Sequence, residues 1–92
     1  MGQMKSVQQS VVAGQKGYDL NEFKSGSTAT EFLPCRQIRA NADGEYKFYF
    51  AGRKGTAISM SLTAGETLNY ALVKITNTDG SVVDAGKILV VY

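Results

Sequence analysis

Apolar and polar residues alternate with a period of two through most of the chain after Pro34. That period is a strand's, because successive side chains of a strand point to opposite faces. Residues 35–40 read as a first strand. Residues 45–51 set Tyr46, Phe48 and Phe50 against Glu45, Lys47 and Tyr49, the pattern of a half-buried strand. Residues 56–62 follow, with Ile58, Met60 and Leu62 on one face. Residues 67–76 form a longer segment whose apolar phase slips, Leu68, Tyr70 and Leu72 giving way to Val73 and Ile75. Such a slip predicts a β-bulge or a strand covered on both faces. A short run at 81–83 and a strand at 87–92 complete the series. The last of these, Ile88-Leu89-Val90-Val91-Tyr92, is apolar on both faces, which a solvated, fraying terminus would not be.

The breakers between these runs are turn residues. Asn41-Ala42-Asp43-Gly44 reads as a hairpin turn with Gly44 available for a positive φ. Gly52-Arg53-Lys54-Gly55, Ala64-Gly65-Glu66, Asn77-Thr78-Asp79-Gly80 and Gly86 punctuate the rest. Five or six short strands at this spacing predict an all-β fold, a small antiparallel β-sandwich or barrel.

Before Pro34 the composition shifts to Gly, Ser, Gln and Thr. Met4, Val7 and Val11 fall at helical spacing, but Gly2 and Gly14 bracket them, and so short a helix is marginal alone. The expected organisation is an extended or mixed N-terminal arm over residues 1–33 and an antiparallel β domain over 34–92. Val11, Val12, Tyr18, Leu20, Phe23, Phe32 and Leu33 are too many apolar residues for a solvated tail. They are expected to dock, and a neighbouring subunit could supply the surface.

Composition narrows the chemistry. The 92 residues, 43% hydrophobic and 20% charged, make one domain or part of one, with a thin core that a partner or oligomerisation would supplement. There is no histidine, so no Ser-His-Asp or Cys-His arrangement can form and no imidazole can bind zinc. No catalytic, metal or cofactor residue is expected. Ten Lys and Arg against eight Asp and Glu leave a net charge of +2, far short of a phosphate-neutralising surface, so no nucleic-acid partner is expected. No window approaches the ~20 apolar residues of a membrane span, and the N-terminus lacks a signal peptide's apolar core. The expectation is synthesis in the cytoplasm and no membrane partner.

Four local features are candidate sites. The Gly-flanked pair Arg53-Lys54 could cradle a phosphate, but hairpin tips take Gly for geometry and cations for solubility. Arg36, Arg39 and Lys47 beside Tyr49 are the ingredients of a single-strand-binding face, diluted by Glu31, Asp43 and Glu45. Asp79 and Asp84 sit in turn-like sequence, where Asp serves its own backbone. Cys35, the single cysteine, has a cationic neighbour in Arg36 but no base, so a buried, inert thiol is expected.

Residues 33–92 carry Pro34-Cys35-Arg36 ahead of the first strand, Asp43-Gly44 in the first turn, Leu62-Thr63-Ala64-Gly65-Glu66 before the long segment, and Val90-Val91-Tyr92 at the end. In these features the chain resembles small all-β phage virion proteins, including the spike-base proteins of gene transfer agents. The resemblance implies a virion structural protein, a head-decoration (cement) or vertex spike-base component on the capsid exterior. It would dock on the major capsid protein and form a homo-oligomer. The alternative is a receptor- or carbohydrate-binding β module of a fibre or tail. The residues expected at partner interfaces are Val7, Val11, Tyr18 and Phe23 in the arm, Tyr49, and Ile88, Val90 and Tyr92 in the last strand, with Leu89 and Val91 as alternates.

Overall fold

The alternation after Pro34 resolves into two facing antiparallel sheets. The computed structural model describes residues 16–92. In chain order the elements are β1 (Gly17–Asp19), a single 3-10 turn (Leu20–Glu22), β2 (Lys24–Ser25), β3 (Thr28–Ala29), β4 (Gln37–Ala40), β5 (Gly44–Phe50), β6 (Ala57–Leu62), β7 (Thr67–Leu68), β8 (Leu72–Asn77) and β9 (Ile88–Val91). One sheet has the order β1-β9-β4-β7 and the other β6-β5-β8, while β2 and β3 form a separate hairpin.

Pairing register decides which residues share the core. In β4 and β9, Ile38 stands opposite Val90 and Ala40 opposite Ile88, so all four face inward together. From the other sheet Tyr46, Phe48, Leu72 and Ile75 meet them, and Leu20, Phe32, Cys35, Leu62 and Val83 complete the same cluster. Phe48 and Val90 are wholly buried. A β-sandwich is the stable way for two sheets with one apolar face each to exclude water.

Several sequence expectations are corrected here. Asn41-Ala42-Asp43-Gly44 is not a hairpin: β4 and β5 belong to different sheets, and the turn is a corner between them. Gly44 has no positive φ. Its absent side chain makes room for the Tyr46 ring, whose hydroxyl would lie 2.6 Å from a Cβ there. Residues 67–76 are not one strand. β7 pairs in the first sheet and β8 in the second, and the apolar phase slips because the chain changes sheets at residues 69–71. Within β8 the pairs Tyr49↔Lys74 and Phe50↔Leu72 leave Val73 as an extra, bulged residue. Leu72, Val73, Ile75 and Thr76 are all buried, so the slip produces both a bulge and two-sided burial.

Residues 81–83 do not form a strand. The Asn77 side chain donates to Ser81 Oγ and to the Val82 carbonyl, and the Asn21 amide donates to the Val83 carbonyl at 3.0 Å. Side-chain amides thus do what a neighbouring strand would have done, and Val83 is left to plug the core.

The boundary expected at Pro34 also moves. β1 pairs with β9 through Gly17↔Val91, Tyr18↔Val90 and Asp19↔Leu89, so the edge of the first sheet is supplied by residues assigned to the arm. Leu20, Ala29 and Phe32 are buried with the rest of the core. Asp19 secures this segment. Its Oδ1 accepts the Asn21 N–H at 3.0 Å, capping the 3-10 turn, and its Oδ2 accepts the Gly86 N–H at 2.8 Å from the loop before β9. Val7, Val11 and the rest of residues 1–15 lie outside the described residues.

Candidate interaction surface

Three of the residues expected at a partner interface come together. β1 ends at the capped turn, which sends Leu20 into the core and leaves Tyr18 and Phe23 on its flank. The chain returns at Tyr92, just beyond β9, so the first and last described residues of the sheet edge lie side by side, with Lys16 and Tyr92 exchanging backbone hydrogen bonds. Tyr18 and Tyr92 meet edge to face at 5.9 Å, Tyr18 and Phe23 at 6.3 Å, and Phe23 and Phe32 at 4.8 Å between ring centroids. Each such pair contributes roughly 0.5–1.5 kcal/mol beyond its burial.

These rings line an open groove of about 900 Å³ together with Leu33, Pro34 and Val73. Pro34 forces residue 33 into an extended conformation. The Tyr92 hydroxyl donates to the Leu33 carbonyl at 2.5 Å, so the backbone of that segment is held while the Leu33 side chain stands 79% exposed. Burial pushes the Tyr92 hydroxyl above its ordinary pKa, with Cys35 and Tyr18 adding to the shift, and it stays a neutral donor at physiological pH. The charged members of the lining are Glu22, Glu31 and Lys54. Lys54 and Glu31 form an ion pair at 3.5 Å with both side chains more than half exposed, a contact worth ~0–1 kcal/mol. The groove is therefore an apolar surface bordered by the Lys54–Glu31 pair and by one further carboxylate, Glu22.

Comparison of the chain with family models, with curated proteins and with solved structures finds no match. The surface must therefore be read on its own chemistry.

The other expected residues are dispersed. Ile88 and Val90, 1% and 0% exposed, face the opposite sheet and cannot line an interface of the folded chain. Their register with Ala40 and Ile38 turns them inward. The outward positions of β9 are the alternates Leu89 and Val91, both half-buried, with Leu89 lying over Gly17. Tyr49 lies on the outer face of the second sheet, where Lys74 Nζ sits 4.9 Å from its ring centroid in a cation–π contact. The basic patch read beside Tyr49 is divided, since Arg39 faces outward from one sheet and Lys47 from the other.

Cys35 is buried, its thiol donating to the Tyr70 carbonyl at 3.5 Å, and burial pushes its pKa up despite nearby backbone donors. Gly52-Arg53-Lys54-Gly55 forms two successive turns, closed by Arg53 N–H to Phe50 and Thr56 N–H to Arg53, and neither glycine has a positive φ.

The sequence expectation docks Phe32 and Leu33 on an unspecified surface and sets Pro34 at the start of the β domain; their place beside Tyr92 in one groove follows from β1 pairing with the last strand.

Proposed function

We propose that the chain is a virion structural protein of the phage head-decoration or vertex spike-base kind, docking on the major capsid protein by apolar burial. The observation that supports this reading is the exposed aromatic groove formed where both ends of the described chain meet, with Leu33 standing free at its lip. A groove of this composition binds by burial at ~25 cal/mol per Å² of apolar surface, less the cost of ordering its occupant. Glu22, the lining carboxylate not paired with Lys54, suits a capsid segment in which an apolar stretch carries a Lys or Arg. The reading includes a homo-oligomer on the capsid exterior or at its vertices and no catalytic step.

The deciding experiment is the copy number of this chain relative to the major capsid protein in purified particles, by quantitative mass spectrometry. Near parity marks a cement protein, a small sub-stoichiometric number marks a vertex or spike base, and absence from particles overturns the reading. Leu33→Asp places a charge on the groove without touching the core. The expected result is a folded protein whose incorporation into particles falls at least several-fold.

The same groove favours one second reading, a carbohydrate-binding module, because aromatic faces flanked by carboxylates also suit sugar rings. Glycan-array binding that Leu33→Asp abolishes, by a chain absent from particles, would select it.

A further inference from the structure

Edge strands present unpaired N–H and C=O groups, and proteins ordinarily blunt them with charge, proline, bulges, shortness or a covering segment. Among the described residues, the edges of the two facing sheets are β1, β7, β6 and β8, and the β2–β3 hairpin has only two residues in each strand. β1 has three residues and β7 two. β8 is bulged at Val73, carries Lys74, and is partly covered by residues 32–35, whose Phe32 and Cys35 N–H groups donate to the Val73 and Leu72 carbonyls at 2.7 and 3.1 Å. Among the described residues, β6 has none of these devices. Its six residues, Ala57-Ile58-Ser59-Met60-Ser61-Leu62, contain no charge and no proline and pair with β5 without a register shift. Among the described residues no strand pairs with its outer edge, and Ile58 is 40% exposed there.

We infer that β6 is the interface through which two copies of this chain associate, by antiparallel pairing about a two-fold axis that joins the two three-stranded sheets into one of six strands. Ile58, Met60 and Leu62 share the core-side face of β6, while Ala57, Ser59 and Ser61 face outward. Antiparallel partners lie on the same face, so only registers that match odd with odd and even with even numbers keep apolar opposite apolar. With Ser59 on the axis, Ile58 faces Met60 of the second copy and Ala57 faces Ser61. Ile58 then loses its exposure against another apolar side chain.

Charge at the two ends of β6 favours this orientation. Arg53 and Lys54 precede the strand, and Lys54 is already engaged by Glu31. Beyond its other end lie Asp43, whose Oδ1 accepts the Ala64 N–H at 2.8 Å, and Glu66, whose Oε1 accepts the Thr63 N–H at 2.9 Å. Antiparallel pairing sets Arg53 of each copy beside the acidic end of the other. A parallel arrangement would set like charges together. The strand's self-complementarity and this end-to-end polarity identify the partner as a second copy.

Sedimentation of the full chain tests the inference, with two variants. The expected result is a monomer–dimer equilibrium that weakens with salt, and in Ile58→Lys, which substitutes an exposed side chain, a dimer Kd raised by about tenfold or more with an unchanged circular dichroism spectrum. Ser59→Cys is expected to give a disulfide-linked dimer on mild oxidation, since the two thiols meet at the axis, whereas Ser61→Cys, placed opposite Ala57, is not. Wild-type chain controls for Cys35. A protein that sediments as a monomer, whether its β6 edge is bare or covered by residues 1–15, overturns the inference. So does an oligomer indifferent to Ile58→Lys and without a Ser59 cross-link. The inference rests on the homo-oligomer of the proposed reading but not on its groove, so an oligomer indifferent to the β6 variants overturns the inference alone, and absence from particles overturns the reading alone.

Discussion

Gly44 shows why a residue's identity and its reason for being there are separate matters. A glycine after Asp in a turn suggests a positive φ, yet the backbone there is ordinary and the constraint is steric, with the Tyr46 hydroxyl 2.6 Å from the position a Cβ would take. Tyr46 is 3% exposed and packed against Phe48, so its ring has little freedom to give way. Gly44→Ala is therefore expected to destabilise the fold by ~1–3 kcal/mol, the cost of overpacking, measurable by urea unfolding. Gly80 is the contrasting case. Its φ of 88° is left-handed, and it ends the turn in which Asp79 Oδ1 accepts both the Ser81 N–H at 2.9 Å and the Ser81 hydroxyl at 2.6 Å. Those two bonds, the hydroxyl first, hold the Asp79 carboxyl below the usual aspartate range. A depressed folded-state pKa adds stability that is present above the unfolded value of ~3.9 and is lost as pH falls through the folded value. Carbon-13 titration should place the Asp79 midpoint below that of an ordinary aspartate, and Ser81→Ala should raise it.

At the scale of elements, the chief finding is that β1, the 3-10 turn and the β2–β3 hairpin belong to the sandwich. β1 shields one edge of β9, the Asp19 carboxylate binds the loop before β9, and Leu20 and Phe32 enter the core. Among the described residues, 16–92 close a core cluster of their own, while a chain starting at residue 33 lacks two of its members, Leu20 and Phe32, and leaves one edge of β9 bare. Removal of residues 1–15 is thus expected to leave a cooperative unfolding transition. Removal of residues 1–32 is expected to abolish it and cause aggregation, observable by thermal denaturation and light scattering. Any role of the arm in particle assembly is properly tested with the shorter deletion. The same reasoning explains the split at residues 67–77. A phase slip in an apolar pattern marks a change of exposed face, and the chain achieves it by leaving one sheet for the other and then bulging at Val73.

The described residues carry two proposed contact surfaces built from different elements. The aromatic groove comes from β1, the 3-10 turn, residues 31–34 and Tyr92, and the bare edge comes from β6; both approach the loop at 51–56. Their separation predicts opposite effects from the two exposed-residue variants. Leu33→Asp should lose particle incorporation and keep self-association, while Ile58→Lys should lose self-association with the groove intact. Both proposed contacts would favour a protein with a small core, since each would remove apolar surface that folding alone leaves in water.

The amino-acid order alone settles the fold class, because a period of two with Gly, Asn and Asp breakers leaves a half-buried antiparallel sheet as the economical way to bury Ile38, Phe48, Ile75 and Val90 on one side. It also singles out Tyr18 and Phe23 as members of an arm too apolar for a solvated tail, and Tyr92 as the end of a strand apolar on both faces. It did not determine that these three share one groove, that Ile88 and Val90 rather than Leu89 and Val91 face the core, or that β6 is left as an edge. Periodicity states which residues share a face, but strand order and register state which face is covered and by what. Those are long-range pairings, β1 with β9 above all, and they exist only once the chain has closed on itself.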